Sequence, residues 1–125
     1  MILELTQAFY FEAAHTLDRE CESAPSLRIH GHTYHGEVTV RGEKQQDSGM
    51  VLDLSVLRAH IETVRELLDH RMLNTVPGLG PPTLENLAAF IADRLRSLEP
   101  RVCSVRVSRK ASGDSCLWRV DPSAN

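Results

Sequence analysis

Apolar residues recur at every second position near the start of the chain, which is the period of a strand with one buried face. These residues are Leu3, Leu5, Phe9, Phe11 and Ala13. Gln7 interrupts the pattern once, and the pattern predicts a strand over residues 3–15. Alternation returns over residues 32–41 and predicts a second, antiparallel strand. Residues 16–29 between them contain Pro25 and several charges, so we expect a long surface loop of a kind that is often functional.

Two amphipathic helices are predicted in the middle of the chain. Between residues 53 and 69 the apolar positions advance in steps of three and four, which describes one face of a helix. They are Leu54, Leu57, Ile61, Val64 and Leu68. Thr83 can cap a second helix, with Glu85 in the first turn where the helix dipole favours an anion, and Pro100 stops it. A linker over residues 74–82, rich in Pro and Gly, joins the two helices.

Two more strands are predicted after the helices, over residues 102–107 and 116–120, around a turn that contains Gly113. The order strand, strand, helix, helix, strand, strand predicts an α+β fold in which a four-stranded antiparallel sheet carries two helices on one face. Such a sheet has two open edges and a second exposed face, which monomers seldom tolerate. We therefore expect a single domain over residues 1–125 that forms a homo-oligomer.

Composition narrows the classes of partner and compartment. The chain has 125 residues, of which 42% are hydrophobic and 25% charged, as in ordinary globular proteins. Its formal net charge of −3 is too weak for a surface that binds nucleic acid. No apolar run approaches the roughly 18 residues of a membrane helix, so no membrane partner is expected. Cys21, Cys103 and Cys116 lack paired spacing, which favours free thiols and a cytoplasmic location.

The sequence His30-Gly31-His32 is the first candidate for chemistry. Residues two apart on an extended backbone point to the same side, so both imidazoles are within reach of one metal ion. His15 ends the preceding predicted strand, and antiparallel pairing could place it beside them. Three neutral imidazoles and a water would form a zinc site with an open position, although isolated H-x-H sequences are more often ordinary histidines.

Asp69 and His70 follow the end of the first predicted helix and are the second candidate. A carboxylate beside an imidazole fixes the tautomer of the ring and tunes a general acid or base. Taken alone, such a pair is more often explained by compensation of charge and dipole at a helix end.

Several separated segments together resemble the family of 6-pyruvoyl-tetrahydropterin synthase and 6-carboxytetrahydropterin synthase, in its order and spacing. They are FYFEAAH at residues 9–15, LRIHGHTY at 27–34, GMVLDL at 49–54, LLDHRMLN at 67–74 and PTLENLA at 82–88. The likeness covers nearly the whole chain. It implies the tunnelling fold, in which subunits close their sheets into barrels and commonly assemble as a hexamer.

The resemblance also implies residue roles and an activity. It identifies a zinc ion bound by three histidines, namely His15, His30 and His32. It makes Asp69 and His70 the proton-transfer pair and places Glu85 near the pocket for a small-molecule substrate. Zinc in the family binds side-chain oxygens of the substrate while protons are moved. The implied activity is that of a zinc-dependent lyase.

The chain departs from the family pattern at the catalytic thiol. Where the bacterial relative has cysteine, four residues before the first histidine of H-G-H, this chain has Ser26. A hydroxyl is far less acidic than a thiol, whose free pKa is about 8.5, so it supplies much less anion at neutral pH. Ser26 therefore stands at the catalytic position, and Cys21 in the same loop is the alternative thiol.

A second departure lies at the third predicted strand. The family's V-x-V-x-E places a glutamate under the pterin ring, whereas here Val105-Arg106-Val107-Ser108 is followed by Arg109. A cation cannot accept the N–H bonds of the ring, but arginine pairs well with carboxylate or phosphate. A one-residue shift of the alignment would weaken this interpretation, yet no acidic residue occurs from Val102 to Gly113 to take the role.

The sequence thus predicts a zinc enzyme of the tetrahydropterin-synthase type with an altered substrate, because Ser26 and Arg109 replace the family cysteine and glutamate. One alternative is an ordinary 6-carboxytetrahydropterin synthase of the queuosine pathway that uses Cys21. Another is a non-catalytic zinc-binding oligomer, which the retained Asp69, His70 and Glu85 disfavour.

Overall fold

The computed structural model describes residues 1–20 and 23–121. Its strands form one antiparallel sheet in the order β1-β2-β3-β4. They are β1 (Ile2–His15), β2 (His30–Glu43), β3 (Val102–Arg109) and β4 (Asp114–Arg119). The helices are α1 (Ser23–Leu27), α2 (Leu54–Arg65) and α3 (Leu84–Leu98), and a 3-10 turn spans Leu73–Thr75. The predicted α+β fold is confirmed, with α1 as an element that the sequence pattern did not predict.

The strands β1 and β2 pair along their whole length, from Ile2 opposite Glu43 to His15 opposite His30. Because directly opposed residues share a face, apolar residues of both strands line one side of the sheet. Phe11 and Tyr34 are opposed there, fully buried, with stacked rings 5.0 Å apart between centroids. The alternation predicted from the sequence is therefore the buried face of the sheet.

Both long helices pack against this face, and each begins at a capping side chain. Asp53 accepts a hydrogen bond from the backbone N–H of Ser55 (2.9 Å), and Thr83 accepts one from Asn86 (3.1 Å). The buried helix residues are Leu57, Ile61 and Val64 in α2, and Leu84, Leu87, Ala88, Phe90, Ile91, Ala92 and Leu95 in α3. The polar interruption in β1 is also explained, because Gln7 accepts a hydrogen bond from Nε of an α2 arginine, Arg58 (3.0 Å).

The predicted element bounds need four corrections. The first long helix ends at Arg65 rather than near residue 69, because the chain turns over residues 66–70, although Leu68 remains buried. The strand β2 begins two residues earlier and ends two residues later than predicted. The strands β3 and β4 extend to meet at Arg109 and Asp114, because the turn between them is tighter than the sequence suggested.

In the described part of the chain both long helices pack on the first face of the sheet, and β1 and β4 are its edge strands. The segment after α2 covers the end of the β1 edge. There His70 donates its backbone N–H to the carbonyl of Glu12 (2.6 Å), and Ala14 donates to the carbonyl of Arg71 (3.0 Å). Among the described residues, no helix is both long and apolar enough to cross a membrane.

Candidate functional site

Three histidines meet at the end of the buried face of the sheet. His15 lies opposite His30, and His32 lies opposite Ala13, so all three imidazoles are on the face that carries Phe11. His15 is 1% exposed and is the most deeply placed of the three. The predicted convergence of these histidines, which we call the histidine triad, is present in the structure.

The ring nitrogens of the triad converge through their Nε2 atoms. The Nε2 atom of His15 lies 3.0 Å from that of His30 and 3.1 Å from that of His32. His15 Nδ1 faces the carbonyl of Pro82 at 3.1 Å, and His30 Nδ1 faces the carbonyl of Arg28 at 2.7 Å. Because a carbonyl only accepts, each Nδ1 carries the proton, and in a neutral ring each Nε2 then presents a lone pair.

Two lone pairs that face each other at 3.0 Å repel unless a cation lies between them. Zinc bound tetrahedrally at the usual Zn–N distance of about 2.0–2.1 Å holds its nitrogen ligands roughly 3.3 Å apart. The ligand atoms of the triad all lie within 4.8 Å of one another. The residues therefore fit a metal ion, with at least one coordination position left for an oxygen ligand.

The surroundings of His15 and His32 favour their neutral rings. Burial lowers the pKa of His15, and the charges of His30 and Arg109 act in the same direction. Burial also lowers the pKa of His32 to about 4, helped by the charges of His15 and Arg109. Burial raises the pKa of Tyr34 to about 12, so its hydroxyl, 3.5 Å from Nδ1 of His15, stays protonated. Neutral imidazole is the form that binds metal.

Asp69 and His70 form a hydrogen-bonded pair at the covered end of the β1 edge. Asp69 Oδ2 lies 2.8 Å from His70 Nδ1, and Asp69 Oδ1 accepts the backbone N–H of Glu12 at 3.0 Å. The hydrogen bonds from Glu12 and His70 lower the pKa of Asp69, as does the nearby charge of Arg65. Asp69 is therefore a carboxylate at neutral pH, and it directs Nε2 of His70 outward.

His70 has a backbone φ of 58° and is the one residue other than glycine with a positive φ in the described part of the chain. Such a conformation is costly for a side chain with a Cβ and is concentrated at functional sites. His70 and His32 line the same open cavity of about 540 Å³, beside Glu12 and Met72. One member of the pair and one member of the triad therefore line one cavity, without a hydrogen bond between the two groups among the described residues.

Arg109 is the last residue of β3 and is held from β4. Its Nη2 atom lies 3.0 Å from Oδ2 of Asp114, which also accepts the hydroxyl of Ser112 at 2.8 Å. Its Nε atom is buried without a hydrogen-bond partner. Its charge lowers the pKa of both His15 and His32, so Arg109 acts electrostatically on the triad.

The other predicted site residues are less tightly connected to the triad. Ser26 is buried in α1, and its carbonyl accepts the N–H of Leu17 at 2.7 Å. Within the described ranges no hydrogen bond joins Ser26 to the triad. Glu85 is exposed in the first turn of α3, where its charge raises the pKa of Cys116 on β4 beyond the effect of burial. Cys21 lies outside the described residues.

Three features of the site were not predicted from the motifs. The carbonyl of Pro82, which fixes the tautomer of His15, is 67 residues away in sequence, and no local pattern signals this contact. Tyr34 continues the alternating buried positions of β2, so the sequence alone indicates only a core residue. Asp114 could have been found, since a tight turn around Gly113 places it opposite Arg109.

Comparison with known proteins agrees with this geometry. The model of the 6-pyruvoyl tetrahydropterin synthase family matches residues 4–118. A 6-carboxy-5,6,7,8-tetrahydropterin synthase from Synechocystis is 41% identical over 92 residues, which cover 70% of each chain. A dihydroneopterin monophosphate aldolase from Pyrococcus furiosus is 38% identical over 90 residues, which cover 72% of each chain.

A solved structure points to the same family. The structure of the Caenorhabditis elegans 6-pyruvoyl tetrahydropterin synthase superposes with a TM-score of 0.86 and 25% identity, covering 97% of both chains. The family match spans all four strands and both long helices. The chain therefore belongs to the 6-pyruvoyl tetrahydropterin synthase family, a family of lyase-type enzymes.

Proposed function

We propose that this chain is a single-domain subunit of a zinc-dependent lyase whose substrate differs from dihydroneopterin triphosphate. The observation that carries the metal is the opposition of two lone pairs on His15 and His30 at 3.0 Å. Two backbone carbonyls fix both tautomers, so neither ring can turn a proton toward the other. A cation bound by the triad removes this repulsion.

Zinc at this position supplies a Lewis acid that polarises an oxygen of the substrate. Proton transfer is assigned to His70, because it lines the same cavity as His32 while Asp69 holds its Nδ1. Asp69 stays ionised and stabilises the imidazolium that forms when His70 accepts a proton. The pair can thus remove a proton from a carbon or oxygen of the substrate and return it elsewhere.

The substrate is expected to carry an acceptor or an anionic group that faces Arg109. Its guanidinium is held by Asp114 and has a buried Nε without a partner, so it can donate but never accept. Glu85 is proposed to accept hydrogen bonds from an amine or amidine of the substrate. Ser26 is proposed to occupy the position of the family's cysteine. Its hydroxyl is a weaker acid than a thiol by several pKa units.

Incubation of zinc-loaded protein with dihydroneopterin triphosphate tests the altered substrate. We expect little formation of carboxytetrahydropterin or pyruvoyl product, since a ring N–H donor left buried and unpaired costs about 1–3 kcal/mol and a missing base about 10²–10⁴ in rate. Turnover of about 1 s⁻¹ or more would contradict the proposal. The variant Arg109→Glu is the matched comparison, because it returns an acceptor to this position.

An ordinary 6-carboxytetrahydropterin synthase is the second candidate, favoured by the 41% identity to the Synechocystis enzyme of that name. It requires a thiol from Cys21, since Ser26 cannot supply one. Activity on dihydroneopterin triphosphate that vanishes in Cys21→Ala and survives in Ser26→Ala would establish it. A zinc-binding oligomer without catalysis is disfavoured, because such a protein would not need to keep Asp69, His70 and Glu85.

We also propose a homo-oligomer, most simply a hexamer, in the cytoplasm. The open edges of β1 and β4 support an oligomer, because unpaired strand edges favour association. The free thiols of Cys103 and Cys116 support a reducing compartment. Light scattering at micromolar concentration is expected to give a multimer, and a mass of 14.0 kDa would refute it.

A further inference from the structure

A second concentration of charge lies at the end of the sheet opposite the histidine triad. We call it the arginine pocket and define it by four residues, Arg41, Arg96, Arg101 and Arg119. They line a cavity of about 670 Å³ between the end of β2, the start of β3, the end of β4 and α3. Arg41 comes nine positions after His32 along β2, so the pocket and the triad lie roughly 30 Å apart.

The charges of the arginine pocket are only partly compensated. Arg101 is neutralised by Glu99, with Nε–Oε2 at 2.7 Å and Nη2–Oε1 at 2.9 Å. The other three arginines form no salt bridge in the parts of the chain that the structure describes. Among the described residues that line the pocket, Glu4 is the one carboxylate. Three cations against one anion leave a local excess of two positive charges in a chain whose net charge is −3.

Arg96 shows that this excess is not simply solvated surface. Its Nε atom is buried and has no hydrogen-bond partner, although buried donors are nearly always paired. Its guanidinium carbon lies 6.0 Å from the ring centroid of Trp118, the single tryptophan of the chain. A basic residue in the last turn of a helix is expected for Arg96 alone, but the helix dipole does not account for the arginines from three strand ends.

The chemistry of the pocket selects one class of ligand. Guanidinium groups bind phosphate and carboxylate oxygens through paired N–H donors. A phosphate monoester carries about −1.5 to −2 at pH 7, which matches the local excess of two charges better than a single carboxylate does. Val102, Leu117 and Val120 supply an apolar wall, and the volume falls in the range of small-molecule sites, about 300–1,000 Å³.

We propose that the arginine pocket binds a phosphorylated small molecule, at a site separate from the metal centre. The phosphate contacts Arg41, Arg96 and Arg119, and the organic part lies against the apolar wall. The site does not depend on the proposed reaction, because it shares no residue with the triad or with the cavity beside His70.

Titration of the full-length protein with phenyl phosphate tests this site, with Trp118 fluorescence as the readout and isothermal calorimetry alongside. We expect a saturable signal, and at least about tenfold weaker binding of benzoate, which carries one charge. The double variant Arg41→Gln/Arg119→Gln is expected to weaken binding of phenyl phosphate by tenfold or more. Lys44→Gln, which removes an exposed charge after β2, is the matched control and keeps wild-type affinity.

The variant Glu4→Gln gives a prediction of opposite sign, since removing the lone carboxylate should tighten binding. It also keeps the test decisive if the double variant does not fold. The proposal is overturned if the wild type gives no saturable signal, or if the signal persists in Arg41→Gln/Arg119→Gln. Loss of the signal in Arg109→Gln instead would place the anion at the metal end and also overturn it. A double variant that changes only the oligomer mass would show that the arginines are subunit contacts.

Discussion

The histidine triad and the Asp69–His70 pair are both candidates for chemistry, yet their side chains differ greatly in burial and in hydrogen-bond partners. The triad lies on the buried face, where His15 is 1% exposed and two backbone carbonyls fix the orientation of its rings. The pair lies on a covered strand edge, and the side chain of His70 is 75% exposed. Its imidazole has one partner in the described chain, Asp69.

This difference indicates which part of the candidate site the fold of one chain holds rigidly. A metal site needs ligands held rigidly before the ion arrives, and packing against the core provides this for the triad. A proton-transfer group needs a side chain that can approach a substrate, so exposure of His70 is compatible with its role. Asp69 supplies the rigidity that His70 lacks, because it is anchored to Glu12 as well.

Removing two histidines of the triad is expected to have the largest effect of the variants considered, which is the loss of bound zinc. We expect protein purified without chelator to contain about one zinc per chain, and His30→Ala/His32→Ala to contain essentially none, since one imidazole cannot hold the ion. Metal analysis by mass spectrometry measures this directly. The control His35→Ala/His60→Ala removes two histidines outside the triad and should keep its zinc. An unchanged zinc content after loss of His30 and His32 would contradict the proposed metal site.

Acid between pH 6.5 and 4 should destabilise the metal-free protein through the triad. The folded pKa of His32 is about 4 against an ordinary 6.5, and the pKa of His15 is lowered too. Below pH 6.5 the unfolded chain therefore binds protons that the folded chain refuses, so stability falls as the pH drops from 6.5 toward 4. Melting temperatures of chelated protein at a series of pH values test this. His32→Gln should flatten the dependence, and an unchanged slope would contradict it.

Asp69→Ala should weaken the edge of the sheet while leaving the metal in place. It removes an ionised acceptor of the Glu12 N–H, and hydrogen bonds to charged groups contribute about 1.5–3 kcal/mol. Because the pKa of Asp69 is lowered, this contribution is present above pH 3.8 and is lost as the pH falls below it. Urea denaturation and zinc analysis provide the readouts, with the exposed Asp47→Ala as control. Loss of zinc in Asp69→Ala would show that the two groups are not separable.

The smallest expected effect concerns the backbone of His70. At φ 58° a glycine is unstrained, whereas any residue with a Cβ pays roughly 1 kcal/mol. His70→Gly should therefore be about 1 kcal/mol more stable than His70→Ala in urea denaturation. Both variants lose the imidazole, so the difference isolates the backbone. Equal stability of the two would mean that the strain is absent.

Much of the fold was readable from the sequence because each long element buries one face. Alternation predicted β1 and β2, and the steps of three and four predicted both long helices. The end of α2 was not readable, since Leu68 continues the apolar pattern while the chain has already left the helix to bring Asp69 to the strand edge. Short α1 has too few residues for any periodicity to show.

The candidate site, too, could be predicted only in part from the sequence. Spacing predicted that His30 and His32 share a face, because alternation is a local property of a strand. The contact between His15 and Pro82 joins residues far apart in sequence and depends on how α3 docks on the sheet. Such tertiary contacts leave no periodic trace in the chain.

The linker between the helices is tied to the metal site at one end only. Pro81 and Pro82 have their carbonyls bound by Asn86 and His15, whereas Pro77 and Gly78 are exposed. Loops normally tolerate changes of length, but here tolerance should differ within a few residues. New termini of a circular permutant, or an inserted peptide, should be better tolerated beside the exposed Gly78 than next to Pro82. An insertion next to Pro82 would shift the carbonyl that faces Nδ1 of His15, so at this end the length of the linker is fixed by the candidate site.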